Sequence, residues 1–347
     1  MYGNVAISRQ TYLRFSLRRS FLVLAAALLL TAGPHAQGQD VHVRVDPQLT
    51  ADANNLGFPR IQMALDHAPE PGPGGRLYLH IAPGIYAERV WVSQLRPRTT
   101  FLGTGTDPLQ VVITAAQSAK TAGGTFFTET VEINGDGFEA DNLTFENSAG
   151  PVGQALAVSV NADRVLFKHC RLLGDQDTLF ANYGRQYFVD SYIRGGVDFI
   201  FGNATAVFDH DEIHIVRPGY LTAQSRTAPS QTTGYVITES RITADDLGGR
   251  SFFLGRPWRA YSRVVYLHTE LPEQLDPRGW MEWSSNTPDS KTTFYAEYNS
   301  YGPGAHPGDR VPWSHQLTAQ QAAAYQPRSF FAGPDHWDPI AEAKRLP

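Results

Sequence analysis

Two carboxylates in this 347-residue chain stand where they invite a chemical explanation. Asp177 ends the run Asp-Gln-Asp in GDQDTLF (residues 174–180), and Asp198 interrupts the apolar GGVDFIFGNA (residues 195–204). A carboxylate among Val, Phe and Ile is expensive to bury unless a partner answers its charge. Two such groups held close together would not both ionise readily. One would keep a proton near neutral pH while the other stayed free to attack. Gln176 adjoins Asp177, and Gln154 stands 22 residues before it in GQALAVSV; each amide is an uncharged donor able to meet a developing oxyanion. Arg256, in LGRPWRAYSR, carries a fork of donors that fits one ionised carboxylate, and Trp258 offers a flat face to a sugar ring. Plainer readings stand beside each of these. The acids could be satisfied by turn amides at strand ends, the glutamines could form an amide ladder, and Arg256 with Trp258 could be ordinary surface packing.

Other reactive groups carry less. A nucleophilic serine usually sits in a G-x-S-x-G elbow, and the chain has none. HDEIH places His210 and His214 four residues apart beside a glutamate. A metal pair at that spacing needs a helix, whereas four residues of strand span about 13 Å. Cys170, the single cysteine, occupies an apolar position of RVLFKHCRLL, so it reads as a buried structural thiol and no intrachain disulfide is possible. The formal charge of −5, with no basic stripe, argues against nucleic acid as a partner.

The elements that must position these residues are short strands. Gly (31) and Pro (23) are frequent, Thr, Val, Tyr and Phe are plentiful, and only 18% of residues are charged, a mixture suited to strands joined by turns. From residue 138 one apolar pattern recurs at positions n, n+2, n+5 and n+7. It starts at Phe138, Val165, Gln186, Ala206, Tyr235, Val264 and Phe294, spaced 27, 21, 20, 29, 29 and 30 apart. Period-2 spacing in each half excludes helical repeats, and a basal period near 20 with variable insertions predicts a solenoid of stacked strands. The favoured reading is an all-β, single-domain, right-handed parallel β-helix; a β-sandwich with irregular loops is the alternative. Short helical end-caps are expected from residues 58–68, with Pro59 near the first turn, and from TAQQAAAY, where Thr318 and Gln321 have capping-box spacing. In this repeat Asp177 follows Val165 by 12 residues and Asp198 follows Gln186 by 12, so both acids share one phase of consecutive coils. Coils stacked at about 4.8 Å would set one above the other.

The N-terminus reads as a targeting segment. Arg9, Arg14, Arg18 and Arg19 precede the apolar residues 21–32, the pattern of a secretory signal peptide rather than a spanning helix. Cleavage after Gly38 is expected, with cleavage after Ala36 or an uncleaved anchor as alternatives. That divides the chain into residues 1–38, a signal peptide, and residues 39–347, one mature domain.

Taken together, GDQDTLF, GGVDFIFGNA and LGRPW resemble, in order and spacing, the signatures of the pectin methylesterases (pectinesterases). The resemblance extends through GIYAERV, GDGFEADNLTFENSAG, GQALAV and YLTAQSR, and faintly to GWMEW, covering roughly residues 42–338. It implies a right-handed parallel β-helix that hydrolyses C6 methyl esters of galacturonate in pectin (homogalacturonan). It also implies roles: Asp198 as nucleophile, Asp177 as general acid and then base, and Gln154 and Gln176 as the anion hole. Arg256 would orient the nucleophile, while Trp258 and Phe201 line the sugar site, with Arg256 and Gln154 also meeting substrate. The scheme requires no metal and no organic cofactor. The signal peptide implies export, to the medium or the periplasm, without stable membrane association after cleavage; a monomer is the default expectation. Two segments depart from the family pattern: GFPRIQMALDHA at the N-terminal cap, and GGTFFTETVEI, which leaves substrate contacts there open. A polysaccharide lyase, a glycosidase and a non-catalytic pectin-binding solenoid that uses Trp258, Phe201 and Tyr220 as stacking surfaces are the competing readings.

Overall fold

The computed structural model describes residues 38–284 and 290–347; the predicted signal peptide lies outside the described residues apart from Gly38. Among the described residues the chain winds through three parallel sheets, one of twelve strands and two of seven. A single coil shows the construction. Strand Val165–Lys168 lies in the first sheet, Arg171–Leu173 in the second and Leu179–Tyr183 in the third. The next coil repeats it in register, with Val165 beside Gln186 and Leu172 beside Ile193. This is the parallel β-helix expected from the repeat.

The n, n+2, n+5, n+7 pattern has a specific backbone cause. Between the first and second sheets each coil turns on one residue in the left-handed region: His169 at φ 48°, Asp190 at 52°, His210 at 56° and Glu239 at 48°. These occupy position n+4 of their repeats. One left-handed residue bends the chain and resets the inward–outward alternation, so inward positions resume after an odd step. Inside, Phe167, Phe188 and Phe208 stack with ring centroids 4.9 and 4.8 Å apart, close to the spacing of the strands that carry them. Cys170 is buried beside this column, and burial pushes its thiol pKa upward, which suits a structural role.

The final repeat departs from the predicted register. Val264 pairs with Tyr295 rather than Phe294, so Tyr295 and Glu297 face inward while Phe294 and Ala296 face outward. The apolar pattern misled here because Glu297 is a buried charge, answered by Arg310 through bonds of 2.7 and 3.2 Å.

Both predicted caps contain helices. Ile61–His67 buries Ile61, Ala64 and Leu65 against the first strands, and Pro59 lies outside it, before the N-cap residue Arg60. Its first amides are satisfied from a distance: Ile61 and Gln62 donate to the Glu88 carboxylate at 2.9 and 3.1 Å. At the other end Thr318 and Gln321 form the reciprocal capping box of Ala319–Ala322. The chain then runs back along the outer face of the long sheet. Phe331, Trp337 and Leu346 there cover Leu166, Tyr187 and Val207. Among the described residues no helix is long and apolar enough to cross a membrane.

Candidate active site

The third sheet carries the chemistry on its outer face. Leading into it, Gln176 bridges both Gln154 and Val197 in parallel register, which sets Asp177 level with Asp198 one coil away. Asp177 donates its amide to the Val197 carbonyl at 3.2 Å, and Asp198 donates its amide to the Tyr220 carbonyl at 2.7 Å. Both acids take left-handed conformations, with φ 64° and 50°, a sparsely populated state that short polar side chains tolerate best. The repeat phase thus resolves into a backbone motif used twice.

The two carboxyls are buried but not equivalent. Arg256 donates Nε to one oxygen of Asp198 at 2.9 Å and Nη2 to the other at 2.5 Å. Burial raises the Asp198 carboxyl above its ordinary range, and the Arg256 contacts oppose that rise. Asp177 is pushed well above the ordinary range, first by burial and then by the negative charge of Asp198, with the more distant Arg256 opposing. Of the two, Asp198 is therefore the easier to ionise and Asp177 the readier to hold a proton. Asp175, two residues from Asp177, is engaged elsewhere: it pairs with Arg217, which donates Nε at 2.7 Å.

These groups share one cleft of about 320 Å³. Gln154, Gln176, Asp177, Asp198, Phe201, Arg256 and Trp258 all line it, so the structure brings every sequence-predicted site residue together. Two glycines permit the approach. A Cβ on Gly255 would lie 2.1 Å from Thr222 Oγ1, so the chain entering Arg256 can hug the sheet only as glycine. Gly202, at φ 119°, follows Phe201, and a Cβ there would lie 2.3 Å from the Ala181 carbonyl oxygen.

The pectinesterase family model matches residues 48–334. The chain belongs to that family. Among relatives in this family, Pectinesterase 31 of Arabidopsis thaliana is 39% identical over 279 residues, covering 78% of this chain and 87% of the relative. Pectinesterase 1 of Citrus sinensis is 38% identical over 304 residues; the match covers 83% of this chain but only 51% of that longer protein. Of solved pectinesterase structures, the carrot pectin methylesterase superposes with a TM-score of 0.80 at 34% identity, covering 91% of this chain and 98% of that one. A pectin methylesterase in complex with a hexasaccharide superposes with a TM-score of 0.71 at 28% identity, covering 86% and 98%. Members of the pectinesterase family are carboxylic ester hydrolases, and this chain is an enzyme of that class.

Four further residues line the pectinesterase cleft that motif reading did not single out: Thr125, Phe126, Ala223 and Trp283. Thr125 and Phe126 belong to GGTFFTETVEI, where the family pattern is weak, and Phe126 packs on Phe180 at 4.8 Å. Ala223 sits beside Phe201 in register, legible only once the coils are aligned. Trp283 lies in GWMEW, whose faint match was its one sequence signal. Tyr220 is not among the residues that line the cleft. Its ring lies against Arg256 and Phe253 instead. His210 and His214 serve separate neighbours: His210 Nδ1 meets Asp209 at 2.7 Å, and His214 meets Thr243 at 2.7 Å and Asp245 at 3.1 Å.

Proposed function

We propose that this chain is a pectin methylesterase that hydrolyses C6 methyl esters of polygalacturonate through an aspartyl acyl-enzyme. The observation that carries the reading is the unequal pair. Arg256 commits both donors to Asp198, which keeps a nucleophilic carboxylate, while Asp177 one coil away holds a proton for a leaving group. A carboxylate oxygen of Asp198 attacks the ester carbonyl carbon. The amides of Gln154 and Gln176, on the cleft wall, stabilise the tetrahedral oxyanion. Collapse breaks the bond to the methoxy oxygen, which takes the proton of Asp177 and leaves as methanol. Water then gives a proton to Asp177 and attacks the substrate acyl carbon of the anhydride, releasing galacturonic acid, which gives its proton to solvent, and restoring the Asp198 carboxylate. Phe201 and Trp258 pack as an apolar wall against which a sugar ring can lie. Every bond and proton in this cycle is accounted for by the chain's own residues and water.

Methyl-esterified pectin is the substrate this reading names, and a relative solved with a hexasaccharide supports an oligosaccharide ligand in the same fold. Export by the segment 1–38, leaving 39–347 as the working domain, belongs to the same proposal, and N-terminal sequencing of exported protein tests it. The catalytic test is Asp198→Ala on esterified pectin, with methanol, reducing ends and unsaturated products recorded together. Methanol release by the parent chain alone, lost in the variant with the fold intact, is expected. Near-normal methanol release by the variant, or cleavage of the polymer by the parent, would overturn the assignment.

A further inference from the structure

Arg256 is held from both sides. Its guanidinium carbon lies 4.0 Å from the ring centroid of Tyr220 and 4.2 Å from that of Trp283. The stack continues behind Tyr220. Tyr220 and Phe253 lie 5.6 Å apart at 19°, and Arg278 sits over Phe253 at 5.1 Å. Arg278 is in turn fixed by Asp276, with both donors at 2.9 Å. Cation and ring therefore alternate from an anchored surface arginine to the arginine that grips Asp198.

We propose that Tyr220 is a positioning residue: its ring, opposed by Trp283, clamps the plane of the Arg256 guanidinium so that both donors stay on Asp198. The assignment rests on the reading of Asp198 as nucleophile given above. An arginine side chain has several rotatable bonds, and a fork must be held in plane to keep two bonds on one carboxylate. Stacking on two rings supplies that restraint in a half-buried setting, where a cation–π contact is stronger than at an exposed site. Tyr220 is tied to the same acid by its backbone, because its carbonyl accepts the Asp198 amide at 2.7 Å. One residue thus fixes the nucleophile from below through its main chain and fixes the nucleophile's partner through its ring. Trp283 lines the cleft and can touch substrate directly, whereas Tyr220 stands behind Arg256, outside the cleft lining. Tyr220 is therefore the position where the clamp can be tested without removing a substrate contact.

The experiment compares Tyr220→Leu and Tyr220→Phe by methanol release from esterified pectin across pH, with melting curves for each. Loss of the ring should lower kcat about tenfold, the size of one partly desolvated cation–π contact, and leave KM within about twofold. A loosened Arg256 holds Asp198 ionised less well, so the acidic limb of the pH–rate profile should move to higher pH. Tyr220→Phe keeps the ring and should restore both kcat and the limb. In an Arg256→Lys background, Tyr220→Leu should have no further effect, because the residue acts through Arg256. The proposal is overturned by wild-type kcat and limb in Tyr220→Leu, by a KM effect with kcat kept, by failure of Tyr220→Phe to rescue, or by additive losses in the double variant. Asp198→Ala runs alongside. If it is inactive and Tyr220→Leu is normal, the clamp alone fails; if Asp198→Ala turns over normally, the reaction scheme fails and the clamp with it.

Discussion

Asp177 and Asp198 occupy equivalent positions of adjacent coils, each in the left-handed region and each buried on the outer face of the same sheet. Their backbones lie one strand spacing apart, about 4.8 Å. The pair must therefore titrate as a unit, with apparent pKa values that belong to both. Both carboxyls are raised by burial, and Asp177 the more, because it also feels the charge of Asp198. Activity needs Asp198 ionised and Asp177 protonated, so kcat/KM should rise as the first proton leaves and fall as the second does. A bell-shaped profile whose acidic limb lies above the ordinary carboxylate range is expected, and Asp177→Asn should abolish methanol release. A profile flat from pH 4 to 9 would contradict the shared-proton arrangement.

Gln176 is bridged through its backbone to the coils on both sides, which leaves its side chain half-buried at the cleft wall. An amide donor placed in advance of the reaction contributes most where charge develops. Gln176→Ala should lower kcat roughly 100- to 1,000-fold with KM little changed. Gln154→Ala should act in the same direction. A variant that loses affinity while keeping kcat would place the amide on the ground-state substrate instead.

Trp258 and Phe201 meet edge to face at 5.8 Å, and Trp283 closes the same apolar patch. Binding by such a wall is felt equally in ground and transition states, which lowers KM without raising kcat. Trp258→Ala should therefore raise KM for pectin several-fold while kcat falls less. Steady-state curves over a range of pectin concentrations separate the two.

The fold was legible because the solenoid repeats its constraint: an apolar residue slipped by one position would turn outward in every coil. The site was legible through the same repeat, since the phase of Asp177 and Asp198 follows from counting residues. What escaped the sequence depends on contacts between distant segments. Glu88 caps a helix 27 residues before it in the chain, and its own segment gives no sign of that. Glu297 faces inward because Arg310 is there to meet it, so hydropathy placed the last coil one residue off. Tyr220 looked like a sugar platform, but the stack that holds it runs through Phe253, Arg256 and Arg278, which lie 33 to 58 positions further along.

Asp211 occupies a ladder position that neighbouring coils fill with Ser191 and Ser240. One of its oxygens accepts the Ser191 amide at 2.7 Å, and the other is buried without a hydrogen-bond partner. Burial pushes its carboxyl well above the ordinary range, with Asp209 and Asp190 adding to the rise. A folded-state pKa raised above the unfolded value gives stability that is complete below the unfolded pKa, near 4, and lost as pH rises toward the folded one. Asp211→Ser keeps an acceptor for Ser191 and removes the titration. The variant should melt higher than the parent at pH 7, with the gap narrowing toward pH 4. A variant less stable at pH 7 would show that the carboxyl contributes more than it costs.

Arg310 and Glu297 form a charge pair inside the last coils, each almost fully shielded from water. Arg310 also donates to the Pro277 carbonyl at 2.9 Å and the Gly304 carbonyl at 3.0 Å, tying two loops to strand Phe294–Tyr298. Removing one partner leaves the other charge buried and unanswered, a change that costs about 3–5 kcal/mol in comparable sites. Arg310→Met should destabilise the protein by about that amount. Adding Glu297→Gln should recover part of the loss, because a neutral amide is far cheaper to bury than a lone carboxylate. Denaturant unfolding of the two variants measures both effects. If the second substitution recovers nothing, the loop carbonyls rather than the ion pair account for the role of Arg310.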